Sequence, residues 1–200
     1  PSSPSTGRAS RCISGDAMAA QRTPLPGFGA PAVGFDTPFE MLEACHERVQ
    51  RTLGLLDRLT AYLHTDGCDD SARQAARDVL RYFDIAAPLH HEDEEMHVFP
   101  PLLDNGTPEV RAAVQQLQDD HQAMHTHWQA ARERLQAMAQ GQTDAFTPDD
   151  EALFERFASG YGAHIRTEED LVYPAARALL APAALQAMGA EMRRRRGAAG

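Results

Sequence analysis

The feature that most constrains this fold is a long-range repeat. His90-x3-Glu94-Glu95-x2-Val98-Phe99-Pro100 recurs as His164-x3-Glu168-Glu169-x2-Val172-Tyr173-Pro174, at a constant offset of 74 residues. In each copy the His and the first Glu interrupt an apolar stripe at helical spacing. One stripe reads Val79, Phe83, Ala86, His90, Glu94; the other reads Phe154, Phe157, Tyr161, His164, Glu168, Leu171, Ala175. A core-facing stripe normally excludes such groups, because each buried polar group left unpaired costs about 1 to 3 kcal/mol. Two helices that bear the same polar pair are equivalent halves of one shared polar site.

Two further stripes have the same character. Helix 1 opens at Thr37-Pro38-Phe39-Glu40, which reads as a capping box with Pro at the first helical position. Its stripe is Phe39, Leu42, His46, Val49, Leu53, Leu56 and Leu63, and it runs out at Thr65-Asp66-Gly67. Helix 2 is expected from Ser71, with Gln74 completing a second capping box and Pro88 kinking its middle. Asp104-Asn105-Gly106 ends it. Helix 3 starts at Thr107-Pro108-Glu109 and carries Val110, Val114, Leu117, His121, Met124, His125, Trp128 and Leu135 before Gly141. Thr147-Pro148 starts helix 4, and a short helical tail follows over residues 182 to 196.

Four long amphipathic helices with short connections must run antiparallel to their neighbours. The expected fold is all-α, an up-down-up-down four-helix bundle over residues 36 to 180. Residues 1 to 35, rich in Pro, Ser, Gly and Ala, read as a disordered tail in which Met18 is a possible start site. No signal peptide is apparent. Residues 181 to 200 form a short helix and a basic tail, whose Arg193–Arg196 run reads as solvated.

Helical geometry separates inward residues from outward ones. At about 100° per residue, Glu94 lies about 40° from His90, while His91 and Glu95 fall about 100° or more away. The inward set is then His46, His90, Glu94, His121, His125, His164 and Glu168. All seven fall within about two turns of one level in the bundle. Five imidazoles and two carboxylates in a bundle interior call for a divalent cation, since neutral imidazole and carboxylate both coordinate one directly. Seven ligands exceed one tetrahedral ion and suit two ions bridged by the two carboxylates. His97 also faces inward. His91, Glu92, Asp93 and Glu95 read as an outer or supporting face, and His64 and His127 as surface. Trp128 and Tyr161 either line a gas pocket or simply fill the core.

On these motifs, namely the helix 1 His, two H-x3-E-E segments and an H-x3-H in order, the chain resembles the hemerythrin-like, HHE cation-binding proteins of bacterial type. The resemblance covers residues 37 to 178. It implies a non-haem di-iron centre with carboxylate and oxo bridges: His121, His125 and His164 on one iron, His46 and His90 on the other with an open position, and Glu94 and Glu168 bridging. Oxygen-carrying hemerythrins place an Asp five residues after the last His, where this chain has Glu169.

Composition narrows the function. A net charge of −10 argues against nucleic acid as a partner, and no apolar run is long enough to span a membrane. Cys12, Cys45 and Cys68 form no CxxC pair, which points to a reducing, cytoplasmic setting. A ferritin-like centre is disfavoured, because that fold needs more Glu than His. The expectation is a binding protein rather than an enzyme, taking O2 or NO at the open iron as carrier, store or sensor, with no protein partner identifiable. The alternatives are handling of NO or peroxide, repair of iron–sulfur clusters, and iron buffering or sensing.

Overall fold

The computed structural model describes residues 34–197. The tail expected over residues 1 to 35, with Cys12 and Met18, lies outside this range apart from Gly34 and Phe35. Five helical rods make up the described chain. They are α1 (Pro38–Thr65), α2 (residues 70–105), α3 (Pro108–Ala139), α4 (residues 148–179) and α5 (Pro182–Arg195). There is no strand among the described residues. No helix among them is long and apolar enough to cross a membrane.

The turns between rods follow from local chemistry. Gly67 and Gly141 take positive φ (80° and 73°), where a Cβ would be strained, and so end α1 and α3 sharply. The Asp69 carboxylate accepts from the Ala72 backbone N–H and starts α2, which therefore begins at Asp70 and not at a Ser71–Gln74 box. Thr147 and Asp150 form a reciprocal capping box at the head of α4. Thr37 departs from expectation. Its hydroxyl turns back to the Gly34 carbonyl, 3.3 Å away, and caps nothing.

Short connections make α1 to α4 antiparallel, each packed on the next, and α5 lies back on α1. The interior falls into two apolar clusters. One includes Val49, Leu56, Val79, Phe83, Trp128, Leu135, Phe157 and Tyr161. The other includes Phe39, Leu42, Val98, Phe99, Leu102, Leu117, Val172, Tyr173, Met188 and Met192. The α1 stripe runs from one to the other, and between Leu42 and Val49 it passes through His46.

Departures from regular α-helix shape the site. Residues Tyr82–Ala86, Glu94–Val98 and Glu168–Val172 form wide π turns. In each, the next residue bonds five residues back: Ala87 to the Tyr82 carbonyl, Phe99 to Glu94 and Tyr173 to Glu168. Each turn ends two residues before a proline, at Pro88, Pro100 and Pro174. A proline lacks an N–H and crowds the carbonyl four residues back, so the preceding turn widens to relieve both defects. The kink expected at Pro88 thus takes the form of a π turn.

Candidate metal centre

The polar cluster forms where α1 to α4 present histidine and glutamate to the axis at one level. His46, His90, Glu94 and Glu168 are all buried and bring one ligand atom each within 4.8 Å of one another. His91, His121 and His164 form a second such group. Both carboxylates are fully buried. Glu168 touches both groups, with Oε2 3.1 Å from His46 Nε2 and Oε1 2.9 Å from His164 Nε2. Glu94 does the same, lying 3.5 Å from Nε2 of both His90 and His121.

Six of the seven sequence-derived candidates are gathered here; His125 is not. It is exposed and stands at the rim of an open groove with Pro88, Glu95 and Gln122. His91 occupies the interior in its place, stacked on His121 with ring centroids 3.9 Å apart. The π turn at Tyr82–Ala86 accounts for His91, though not for the exposure of His125 on the regular helix α3. It inserts one residue into the turn before Pro88, which rotates everything after it, so that His90 and His91 both reach the axis. A uniform 100° step cannot show this. His97 also turns elsewhere and contacts Glu191 of α5 at 3.0 Å.

The arrangement fits a cation by a test internal to the structure. His90 Nδ1, His121 Nε2, His164 Nε2, Glu94 Oε2 and both oxygens of Glu168 are buried without a hydrogen bond of acceptable geometry. His90 Nδ1 is the outer nitrogen of its ring, because His90 presents Nε2 to Glu94. The others lie on the sides where these groups face one another, which suits lone pairs sharing an ion better than donors meeting acceptors. Meanwhile three of the outer nitrogens are held. His46 Nδ1 meets Glu169 at 2.8 Å, His121 Nδ1 meets Glu95 at 3.0 Å, and His164 Nδ1 meets Asp120 at 3.4 Å. A carboxylate on Nδ1 keeps the proton there and leaves Nε2 free to coordinate. Gln118 in turn donates to Glu95 at 2.8 Å.

The second Glu of each repeated Glu-Glu pair is thus a brace: Glu95 of α2 holds the α3 histidine and Glu169 of α4 holds the α1 histidine. Its position on the flank, about 100° from the inward Glu, was the available signal. Tyr173 had none beyond its apolar register. It is buried and stacks on His46 with centroids 5.6 Å apart. Its hydroxyl donates to Glu94 Oε1 and lies 3.2 Å from His46 Nε2.

Electrostatics show how crowded the site is. Burial and the charge of Glu168 push the Glu94 carboxyl up to about 7. Burial acts on Glu168 too, but the His164 and His46 nitrogens outweigh it and hold that carboxyl well below its usual range. Burial opposes protonation of His46, yet Glu168 and Glu94 raise it to about 9. His90 and His91 are pushed well down by burial and by their imidazole neighbours.

Half of the Arg193–Arg196 run is tied to the bundle, while Arg194 stays exposed as a solvated tail would be. Arg195 and Arg196 both bond the fully buried Asp93, the latter at 2.5 Å, and Arg195 also meets Glu92 and Glu191 at 2.8 Å each. Asp93 follows two of the inward histidines and precedes Glu94, so α5 is tied to the back of the ligand helix.

Fold and site together define a four-helix bundle whose interior carries a histidine–carboxylate cluster able to hold metal. The chain belongs to the hemerythrin HHE cation-binding domain family, whose sequence model matches residues 37–176. It is also similar to a protein of Haemophilus influenzae that bears the name "Uncharacterized protein". The two are 35% identical over 162 residues, which is 81% of this chain and 91% of that one.

Proposed function

We propose that the protein is a non-haem di-iron protein that binds O2 or NO reversibly, as a carrier, store or sensor. Its residues divide into two half-sites: His91, His121 and His164 for one iron, His46 and His90 for the other, with Glu94 and Glu168 between them. The observation that carries this reading is the set of unpaired, inward-aimed nitrogens and oxygens, spread over two groups and backed by carboxylates on their outer nitrogens. Iron would supply a redox-active ion, and with two histidines at one position against three at the other, an open place for a small ligand.

One feature supports a diatomic ligand: the donor set is mostly neutral imidazole, which suits reversible binding better than powerful oxidation. The test is metal analysis of purified protein followed by anaerobic reduction and exposure to O2 or NO. Two irons per chain and an absorption band that returns to baseline on removing the gas are expected. A single zinc, or irreversible conversion to ferric protein, overturns the reading.

A second reading, iron buffering, is favoured by the surface. An open groove lined by His91, Glu92, Glu95, Asp119 and His125 reaches His121. Another, lined by Glu43, Glu47, Gln50 and Glu169, reaches His46. Acid-lined routes from solvent to each half-site suit an exchanging cation. Iron that leaves to a chelator within minutes would favour buffering; iron retained for days would eliminate it.

A further inference from the structure

The repeat makes the centre nearly two-fold symmetric. His90 pairs with His164, Glu94 with Glu168, and Glu95 with Glu169, while His46 and His121 occupy corresponding places on α1 and α3. Even the aromatic walls match. Phe99 stacks on His121 and Tyr173 stacks on His46, each with ring centroids 5.6 Å apart. Besides Asp120, which braces His164 where its counterpart Cys45 leaves His90 Nδ1 unpaired, two substitutions break the symmetry at the cluster. His91 has Ile165 as its twin, and Tyr173 has Phe99. The first gives one half-site a third imidazole. The second places a hydroxyl in the other half-site, in an otherwise apolar wall.

That hydroxyl is committed. Its hydrogen bond goes to Glu94 Oε1, the oxygen that faces His90 at 3.5 Å, and its oxygen stands 3.2 Å from His46 Nε2. A donor on a carboxylate oxygen withdraws electron density that the oxygen would otherwise give to a cation. The ring, fully packed and stacked on His46, cannot swing aside. On the other side Phe99 offers His121 the same stacking surface with no donor.

We propose that the Tyr173 hydroxyl adds to the inequality that His91 creates between the two cation positions: by holding Glu94 Oε1 it weakens the His46/His90 position and keeps that ion the more open of the pair. Tyr173 is a positioning residue, acting through Glu94 and not as a ligand. The inference rests on the two-ion reading above.

The test is a stepwise titration of the full chain with cobalt(II), followed by visible absorption, in the native protein and in Tyr173→Phe. Phe99 already occupies the twin position as phenylalanine, and thermal melting checks that the variant is folded. Native protein is expected to bind two ions in two resolved steps. In Tyr173→Phe the weaker step should tighten on the order of tenfold, as expected for release of a hydrogen bond to a charged group, and the stronger step should not move. An unchanged gap, or a weaker second step, overturns the inference while leaving two ions per chain intact. One ion per chain overturns the two-ion reading and this inference with it. A measurement independent of the variant uses native protein loaded with ferric iron. No phenolate-to-iron charge-transfer band is expected, and its appearance would make Tyr173 a ligand and refute the positioning role.

Discussion

The exchange of His125 for His91 is the sharpest result at the scale of single residues. His125→Ala should leave cation stoichiometry unchanged, because the ring is exposed and belongs to neither cluster. His91→Ala should weaken one of the two binding steps, and equilibrium titration against a competing chelator distinguishes the variants. If His125→Ala is the damaging one, the assignment of His91 is wrong. The braces make a related prediction. Glu95→Gln and Glu169→Gln keep the side-chain shape but lose the charge that fixes the His121 and His46 tautomers. Each should lower cation affinity by about 10- to 100-fold. Protonation offers a third check. Burial beside Glu168 holds Glu94 at about 7, above its ordinary 4.5, so that carboxyl keeps its proton until the pH nears 7. A cation must displace that proton, and also the one that Glu168 and Glu94 hold on His46 until the pH nears about 9. Apparent affinity should therefore level off only above about pH 9. It should fall by up to about tenfold per unit between about 9 and 7, and more steeply below 7, where two protons are released. Cobalt titrations across neutral pH measure the slope, and an affinity that rises on acidification would contradict the assignment.

At the scale of helices, much of what was legible in the sequence depends on where the helices stay regular. The stripes bring His46, His121 and the His-x3-Glu pairs to one buried cluster because α1 is regular, as is α3 around His121, and because each His-Glu pair spans one turn. The arithmetic missed His91, which follows the wide turn at Tyr82–Ala86, and it turned His125 inward although α3 is regular and leaves that ring exposed. The prolines that cause the three π turns were visible, but a proline alone does not reveal whether a helix bends, breaks or widens. In hindsight the repeat carried the signal: Val-aromatic-Pro at 98–100 and 172–174 follows π turns at corresponding places, Glu94–Val98 and Glu168–Val172. Pro174→Ala tests the link. Restoring an N–H at 174 permits an ordinary bond to the carbonyl of Asp170, which would draw the wide turn into α-helix and rotate Glu168 and His164 relative to Tyr173. Helix content by circular dichroism should be unchanged while cation affinity falls. Retained affinity would mean that packing, not proline, sets the turn. The cap at Thr37 was missed for a different reason: the pattern Thr-Pro-x-Glu permits a capping box, but the hydroxyl found the Gly34 carbonyl instead.

For the molecule as a whole, the polar layer divides the interior into two apolar clusters, and the chain must hold that layer together by means other than hydrophobic burial. It does so from outside as well as within. The α5 helix reaches back so that Arg195 and Arg196 neutralise Asp93, and it buries Met188 and Met192 against the cluster of Phe39, Leu42 and Phe99. Gly189 makes that approach possible, since a Cβ there would lie 1.9 Å from the Phe35 carbonyl oxygen. Within the layer, five buried atoms that face one another await a partner. A cation that satisfies them binds the folded chain alone, so loading should stabilise by about 2.7 kcal/mol at a free concentration one hundred times Kd. For a chain of this size that corresponds to a rise in melting temperature of roughly 5 to 10 °C. Calorimetry before and after chelation measures the difference. The loss on removing the ion should also be local: amide exchange should quicken first around His90–Glu94 and His164–Glu168, before the apolar clusters on either side. If the chelated protein melts at the same temperature and exchanges uniformly, the buried carboxylates have found other partners, and the cation is not what holds the two halves of the core together.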